Sequence, residues 1–220
     1  MPTLQHQEPL YVLDLGDDEN RFSSEWLKTV HSMLDTVEAD PNPAALVTTG
    51  TGKFYSNGLD LEWLMSHGDQ AEQYVGEVHG LLRRILTFGV PTVAALNGHA
   101  FGAGAMLAMA HDYRVMRADR GYFCFPEADL NIPFTPGMAA LIQSKITPAA
   151  AIASMTTGRR FGGTAALEIG LVDETAGETE LVKCAGERVS SLAGKDRGTI
   201  GAIKATMFAS AVTALGAAGK

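Results

Sequence analysis

The chain has 220 residues, of which 46% are hydrophobic and 19% charged, so it can bury the core of one globular domain. Its formal charge of -8 argues against nucleic acid or an anionic membrane as the main partner, because such binding usually needs a basic face. Two cysteines, Cys124 and Cys184, make neither a metal-ligand cluster nor a disulfide framework, and no run of about 18 apolar residues occurs. We therefore expect reduced thiols, a cytoplasmic location, no membrane contact, and no resident cofactor or metal.

The N-terminal part of the sequence predicts a strand, a helix and a second strand. Tyr11 to Leu15 is typical of a first strand, and residues 23–40 place apolar side chains at helical spacing behind a Ser start signal. Ala44 to Thr49 is a second buried strand. Since such a βαβ unit has a right-handed crossover, we expect the two strands to pair in parallel.

A glycine-bearing loop, GTGKFYSNGLDL, occupies residues 50–61 and leads into a short helix near Asp60. The simplest role for Asp60 is the N-cap of that helix. The GTGK segment does not match a phosphate-binding P-loop. Val47 stands where the first glycine is expected, and Phe54 follows the lysine where Ser or Thr should reach Mg²⁺.

The stretch from Leu96 to Ala110 combines a glycine-rich turn with an almost wholly apolar helix. It follows a helix predicted from Asp69 to Phe88 and a buried strand predicted from Thr92 to Leu96. The first N–H groups of a helix behind such a turn can hold a partially negative oxygen. A dinucleotide fingerprint is excluded, because Leu107 replaces its third glycine. The ordinary alternative is a turn that only packs a strand against a helix.

One carboxylate, Glu127, lies in an apolar segment of the sequence. This segment follows two further predicted strands, Tyr113 to Met116 and Tyr122 to Phe125. Burial would disfavour its charged form and raise its pKa, which suits proton transfer near neutral pH. The alternative is a surface carboxylate or the ion-pair partner of an arginine. From Thr147 onward, Ala-rich segments separated by glycines predict helices. We therefore divide the chain into a core, 1–146, and a helical C-terminal region, 147–220, that contacts the core or another subunit.

Together these motifs closely resemble the crotonase family, the enoyl-CoA hydratases and isomerases, and are most similar to its single-glutamate Δ3,Δ2-enoyl-CoA isomerases. KFYSNGLDL resembles the family's first oxyanion loop, PTVAALNGHAFGAGAMLAMAHDYRVM its second, and FPEADLNI its catalytic turn. Each motif is loose alone, but their order and spacing are specific. The resemblance implies an α/β ClpP/crotonase fold, a spiral of ββα units with a helical C-terminal region.

The resemblance also implies roles for individual residues. Asn57 and Ala103 occupy the positions that supply the two backbone N–H groups of the oxyanion hole, and Glu127 that of the catalytic acid or base. The second glutamate of the hydratases is replaced by Met106, which cannot activate water. Substrate contacts are implied for Lys53, Ser56, Gly58, Leu59, Asp60, Phe101, Gly102, Met106 and Lys204. The two lysines are candidates for the CoA phosphates, with a solvated surface position as the alternative.

The implied reaction moves a double bond from C3 to C2 of an acyl-CoA thioester, in the β-oxidation of unsaturated fatty acids. Glu127 would take a proton from C2 and return it to C4, with CoA present only as part of the substrate. One alternative is a hydratase, dehalogenase or CoA hydrolase that uses Asp60, Glu62 or Asp129 as a further carboxylate. Another is a non-catalytic acyl-CoA binding protein. The resemblance implies a homotrimer or a dimer of trimers.

Overall fold

A computed structural model, which describes residues 1–217, contains two β-sheets with helices packed around them. In chain order the strands of this part are Thr3–Gln7 (β1), Leu10–Asp14 (β2), Ala45–Thr49 (β3), Phe54–Ser56 (β4), Thr92–Leu96 (β5), His99–Phe101 (β6), Tyr113–Arg117 (β7), Phe123–Cys124 (β8) and Glu174–Ala176 (β9). The larger sheet has the order β1-β2-β3-β5-β7-β9, and the smaller has the order β4-β6-β8. From β3 to β9 the chain therefore alternates between the two sheets.

The helices differ widely in length, and several begin at a side-chain cap. They are Ser24–Ala39 (α1), Leu61–Ser66 (α2), Ala71–Leu86 (α3), Ala103–Ala110 (α4), Glu127–Leu130 (α5), Pro136–Lys145 (α6), Pro148–Met155 (α7), Gly163–Glu168 (α8), Leu181–Ser190 (α9), Arg197–Met207 (α10) and Ala209–Gly216 (α11), with a 3₁₀ turn at Gly68–Gln70. In α6 and α7 a threonine cap precedes a proline at the first helical position, where the missing N–H costs nothing.

Parallel pairing dominates both sheets, as the predicted βαβ unit requires. β2 and β3 pair in parallel on either side of α1, and every further pair in the larger sheet is parallel. Only β1 is antiparallel, since it forms a hairpin with β2. The smaller sheet is parallel throughout. The prediction of parallel pairing is confirmed for these strands.

The larger sheet is buried on both faces, which explains why its central strands are continuous apolar runs. Along β3, Leu46 faces the main core with residues of α1, α3 and α4, whereas Ala45 and Val47 face a second cluster. Helix α9 covers that second face through Leu181, Ala185 and Val189. These three side chains recur at helical spacing, so one stripe of α9 is buried.

The region after residue 146 contributes more than helices to the architecture. Its strand β9 pairs in parallel with β7, and α9 packs on the same sheet. The division at residue 146 stays a prediction, but the larger sheet continues beyond it. Within residues 1–217 no single helix is long and apolar enough to span a membrane; α10 and α11 meet that requirement only as a pair bent by 83°.

Candidate active site

The three sequence motifs converge at the carboxyl ends of the strands of the smaller sheet. Strand β4 ends at Ser56, β6 at Phe101 and β8 at Cys124, and each is followed directly by one motif. Because the strands are parallel, these three ends lie at one edge of the sheet. A cavity of about 380 Å³ opens at this edge. Six of the residues implied by the resemblance line it, namely Asn57, Leu59, Phe101, Gly102, Ala103 and Glu127.

Glu127 begins the one-turn helix α5 and is half-buried. Its Oε2 is shielded from solvent and has no hydrogen-bond partner among residues 1–217. Burial raises the pKa of this carboxyl group to about 7. The helix ends at once, because Asn131 adopts a left-handed conformation (φ 56°) and returns its N–H to the Glu127 carbonyl. A carboxyl group with a pKa near 7 can both accept and return a proton at neutral pH.

Helix α4 begins directly behind the glycine-rich turn, with the sharp bend at Gly102 (φ 51°). The Gly102 N–H donates to the Cys124 carbonyl at 3.0 Å, and the Gly102 carbonyl accepts from the Met106 N–H at 3.0 Å. The N–H of Ala103, by contrast, has no acceptor among the described residues. It belongs to the unsatisfied first turn of the helix and lines the cavity.

The structure contradicts the expected role of the Asn57 N–H, since this group donates to the Glu19 carbonyl at 2.8 Å. The next N–H, that of Gly58, donates to the Ser56 hydroxyl at 3.0 Å. Leu59 follows and lines the cavity, and no residue of 1–217 accepts from its N–H. The available donor in this loop is therefore Leu59, two positions beyond Asn57.

The Leu59 and Ala103 loops are in direct contact through Gly58. A Cβ built on Gly58 would lie 2.7 Å from the Ala103 nitrogen, closer than any side chain allows. Gly58 also has φ 77°, a conformation that glycine adopts without strain. Only glycine lets the two backbones approach so closely. As a result, two N–H groups without an acceptor among residues 1–217 border one cavity together with Glu127.

Comparison with known proteins assigns the chain to a family. The model of the Enoyl-CoA hydratase/isomerase family matches residues 7–218. The chain belongs to this family. Enoyl-CoA delta isomerase 3 of Arabidopsis thaliana is 37% identical over 183 residues, which are 80% of this chain and 77% of the relative. The peroxisomal enoyl-CoA delta isomerase 2 of the same plant is 36% identical over 189 residues, 82% of this chain and 79% of the relative.

Solved structures of enoyl-CoA hydratases and isomerases have a similar fold. The crystal structure of the probable enoyl-CoA hydratase EchA3 from Mycobacterium tuberculosis matches with a TM-score of 0.90 and 26% identity, over 99% of this chain and 92% of the other. The crotonase-like α/β fold with a helical C-terminal region is confirmed. The assignment of the chain as an isomerase of this family is likewise supported by its two plant relatives.

Both lysines considered for the acyl-CoA phosphates lie away from the cavity. Lys204 is buried, and its Nζ donates to the carbonyls of Phe88 and Val90, both at 2.9 Å, and to Asp112 at 2.6 Å. Its three protons are thus used inside the protein. Lys53 precedes β4, at the strand end opposite the cavity, and its Nζ stands over the Phe54 ring at 5.1 Å. The solvated-surface alternative describes Lys53.

Three further residues expected to contact substrate have internal roles instead. Met106 is 1% exposed and packs in the main core. Ser56 is fully buried and binds its own loop. Asp60 caps α2 by accepting from the Trp63 N–H at 3.1 Å, so its simpler reading is confirmed. None of these three residues, nor Gly58, lines the cavity.

Arg21 is the one Lys or Arg side chain that lines the cavity in the described part of the chain, and no sequence motif indicates it. Its guanidinium lies 2.5 Å from Glu19, 3.6 Å from Asp60 and 3.8 Å from Glu62. Arg21 stands in the polar turn before α1, where a single arginine among acidic residues carries no distinctive pattern. Its side chain links that turn to the beginning of α2.

Of the three further carboxylates considered for a hydratase, Asp60, Glu62 and Asp129, only Glu62 lines the cavity. Asp60 is a helix cap. Asp129 lies against Gly158, since a Cβ built on Gly158 would lie 2.3 Å from the Oδ2 of Asp129. Glu62 does line the cavity, but its side chain is 83% exposed and faces Arg21. Residues 1–217 contain no group of three or more His, Cys, Asp or Glu side chains arranged to hold a metal ion.

Proposed function

We propose that the protein is a Δ3,Δ2-enoyl-CoA isomerase in which Glu127 carries a proton from C2 to C4 of a 3-enoyl-CoA thioester. One observation carries the proposal: a carboxyl group with a pKa near 7 shares a cavity with two N–H groups that have no acceptor in the described part of the chain. The names of the two plant relatives, both enoyl-CoA delta isomerases, support the choice of reaction.

The first step requires stabilisation of a negative charge on oxygen. When the C2–H bond breaks, its electrons move toward the thioester carbonyl and form an enolate. In this proposal the N–H groups of Leu59 and Ala103, two residues of the cavity wall, donate to that oxygen. Since they are backbone groups, they need no reorganisation as charge develops, and the loss of one such donor costs about 3 kcal/mol.

Glu127 then completes the proton transfer. Its carboxylate accepts the C2 proton, the C3=C4 double bond shifts to C2=C3, and the same carboxyl group delivers the proton to C4. No proton is gained or lost overall. The position of Glu127 at the cavity wall and its raised pKa suit both halves of this exchange at neutral pH. One base is sufficient if both carbons lie within its reach on one face.

The surroundings of the enolate favour isomerisation over the addition of water. The cavity wall is largely aliphatic, with Leu59, Leu61, Leu130 and Ile132 around Glu127. These aliphatic side chains cannot activate water, and the further carboxylate at the wall, Glu62, is 83% exposed and faces Arg21, so the return of the proton to C4 competes well with hydration.

The deciding experiment incubates the purified protein with a 3-enoyl-CoA and follows the absorbance of the conjugated 2-enoyl thioester. We expect this chromophore to appear, and to be absent with Glu127→Gln. A parallel incubation with 2-enoyl-CoA tests for hydration. Release of hydroxyacyl-CoA or free acid as the main product would displace the isomerase proposal.

A hydratase is the second candidate, because Glu62 supplies a further carboxylate at the cavity. In that case Glu62→Gln should abolish hydration of 2-enoyl-CoA, whereas an isomerase should retain its activity. Four points remain predictions. They are that CoA enters only as part of the substrate and no resident cofactor is bound, that the assembly is trimeric, that the location is cytoplasmic, and that the reaction serves β-oxidation.

A further inference from the structure

Ser56 is fully buried, and its hydroxyl group forms hydrogen bonds with the backbone of two other residues. It donates to the Asn20 carbonyl at 2.8 Å and accepts from the Gly58 N–H at 3.0 Å. Ser56 does not line the cavity, and its only proton is used by Asn20. The side chain therefore acts on the loop that follows β4.

Asn20, the partner of Ser56, is itself held tightly. It is 1% exposed and has φ 49°, a left-handed conformation that few non-glycine residues adopt. Its side-chain amide donates to the carbonyls of Gly16 at 3.1 Å and Tyr55 at 3.0 Å. The turn before α1 is thus joined to β4, and the carbonyl that receives the Ser56 proton has a defined place.

The Gly58–Leu59 peptide group is fixed at its carbonyl oxygen, which accepts from the Phe22 N–H at 2.9 Å. A trans peptide unit is planar, and its C=O and N–H point in opposite directions. The Leu59 N–H must therefore point away from Phe22. The orientation of this donor is set by the two hydrogen bonds of Gly58, one through its N–H to Ser56 and one through its C=O to Phe22.

From this chain of contacts we infer that Ser56, held by Asn20, is a positioning residue that directs the Leu59 N–H toward the thioester oxygen. The inference rests on the proposed function, since it assigns a supporting group to the proposed oxyanion donor. Ser56 touches neither the substrate nor Glu127. Its effect reaches the reaction only through Gly58 (φ 77°). Because glycine tolerates many backbone conformations, the loop can change direction at Gly58 when the hydrogen bond from its N–H to Ser56 is lost.

The test compares Ser56→Ala with Ser154→Ala, a matched control. Ser154 is also 1% exposed, but its hydroxyl donates to the Ala150 carbonyl inside α7 at 2.7 Å, away from the cavity. We expect Ser56→Ala to lower kcat about tenfold or more, a fraction of the 10²- to 10³-fold loss of a whole donor, with little change in KM. Ser154→Ala should leave kcat unchanged. Ser56→Cys, which keeps the shape but weakens the hydrogen bonds, should give an intermediate kcat.

A second measurement separates positioning from general stability. The affinity for a 3-ketoacyl-CoA, whose enolate places charge on the same oxygen, is compared with that for a saturated acyl-CoA. We expect Ser56→Ala to weaken binding of the enolate alone. A folded Ser56→Ala protein with wild-type kcat and wild-type enolate preference would overturn the inference. Because this preference is measured without turnover, it can be scored even if wild-type protein does not isomerise a 3-enoyl-CoA, the outcome that rejects the proposed function.

Discussion

The Glu127 carboxylate lies against the backbone of Gly102, since a Cβ built on that glycine would be 3.6 Å from Oε1. Ala103 follows Gly102 directly, so the turn that carries one proposed oxyanion donor also borders the proposed base. A thioester whose oxygen meets the first turn of α4 would present its neighbouring carbons to Glu127. This proximity leads to the predictions that follow.

We predict that Glu127→Gln reduces kcat by about 10²-fold or more, because it removes the base and retains nearly the same shape. Binding of a saturated acyl-CoA, measured by calorimetry, should persist. Glu62→Gln serves as the control, since it also removes a carboxylate from the cavity wall. A Glu127→Gln variant with more than about a tenth of wild-type kcat would reject Glu127 as the base.

The rate should depend on pH through Glu127. Burial raises the pKa of this group to about 7, and it must be deprotonated to accept the C2 proton. We therefore expect kcat/KM to increase with pH up to about 7 and to level off above it, falling about tenfold for each pH unit below that value. A profile that is level down to pH 5 would contradict a base with a raised pKa.

Substitutions at Ala103 should separate its N–H from its side chain. Proline at this position removes the donor, yet it is the first residue of α4, where proline is compatible with a helix. We predict that Ala103→Pro lowers kcat by about 10² to 10³, the range for one lost oxyanion donor, whereas Ala103→Gly has a modest effect. Circular dichroism and acyl-CoA affinity establish that the proline variant is folded. Equal kcat values for the two folded variants would remove Ala103 from the oxyanion hole.

Lys204→Met should affect stability and leave substrate binding unchanged. The substitution removes the donor from two carbonyl groups and leaves Asp112 with the Thr92 N–H but no cation, and breaking a buried ion pair typically costs about 3 to 5 kcal/mol. Lys53→Met, at an exposed position, is expected to change the free energy of unfolding by no more than about 0.5 kcal/mol. Urea denaturation and the KM for acyl-CoA are measured for both. A stable Lys204→Met protein with a greatly increased KM would return Lys204 to the list of phosphate ligands.

Met106→Glu should be far more destabilising than Met106→Leu. The side chain is 1% exposed within the main core, so a carboxylate there loses its hydration without a partner. A leucine of similar volume typically costs less than about 1.5 kcal/mol. Chemical denaturation of both variants provides the comparison. If the glutamate variant were as stable as the leucine variant, its side chain would have to reach the cavity, and that variant should then be assayed for hydration.

The spacing of apolar residues along the sequence predicted the longer strands and helices, in which at least one face is buried. Strands β2, β3 and β5 and helices α1 and α4 were placed within a few residues, because each shows apolar runs or helical spacing. Strands β4 and β6 have three residues each, too few to show any alternation. Strand β1, TLQHQ, is mostly exposed and polar, so nothing in its composition indicated pairing.

Side-chain chemistry proved more predictable than the direction of single backbone groups. Glu127 was identified from its apolar neighbours, and it does line the cavity. The Asn57 N–H was assigned incorrectly, because its acceptor lies on Glu19, 38 residues earlier in the chain. Lys204 was misassigned for a similar reason, since its carboxylate partner Asp112 is 92 residues away. Long-range contacts of this kind leave no local trace in a sequence.

The alternation of strands between the two sheets has a consequence for how the protein acquires activity. In the chain, β5 and β7 of the larger sheet lie between the strands of the smaller sheet, so no contiguous fragment contains one complete sheet without strands of the other. Pairings between distant segments form late and slowly, as a high contact order implies. Activity should therefore return during refolding only in the last cooperative phase, together with protection of the central amides of β5 from hydrogen exchange.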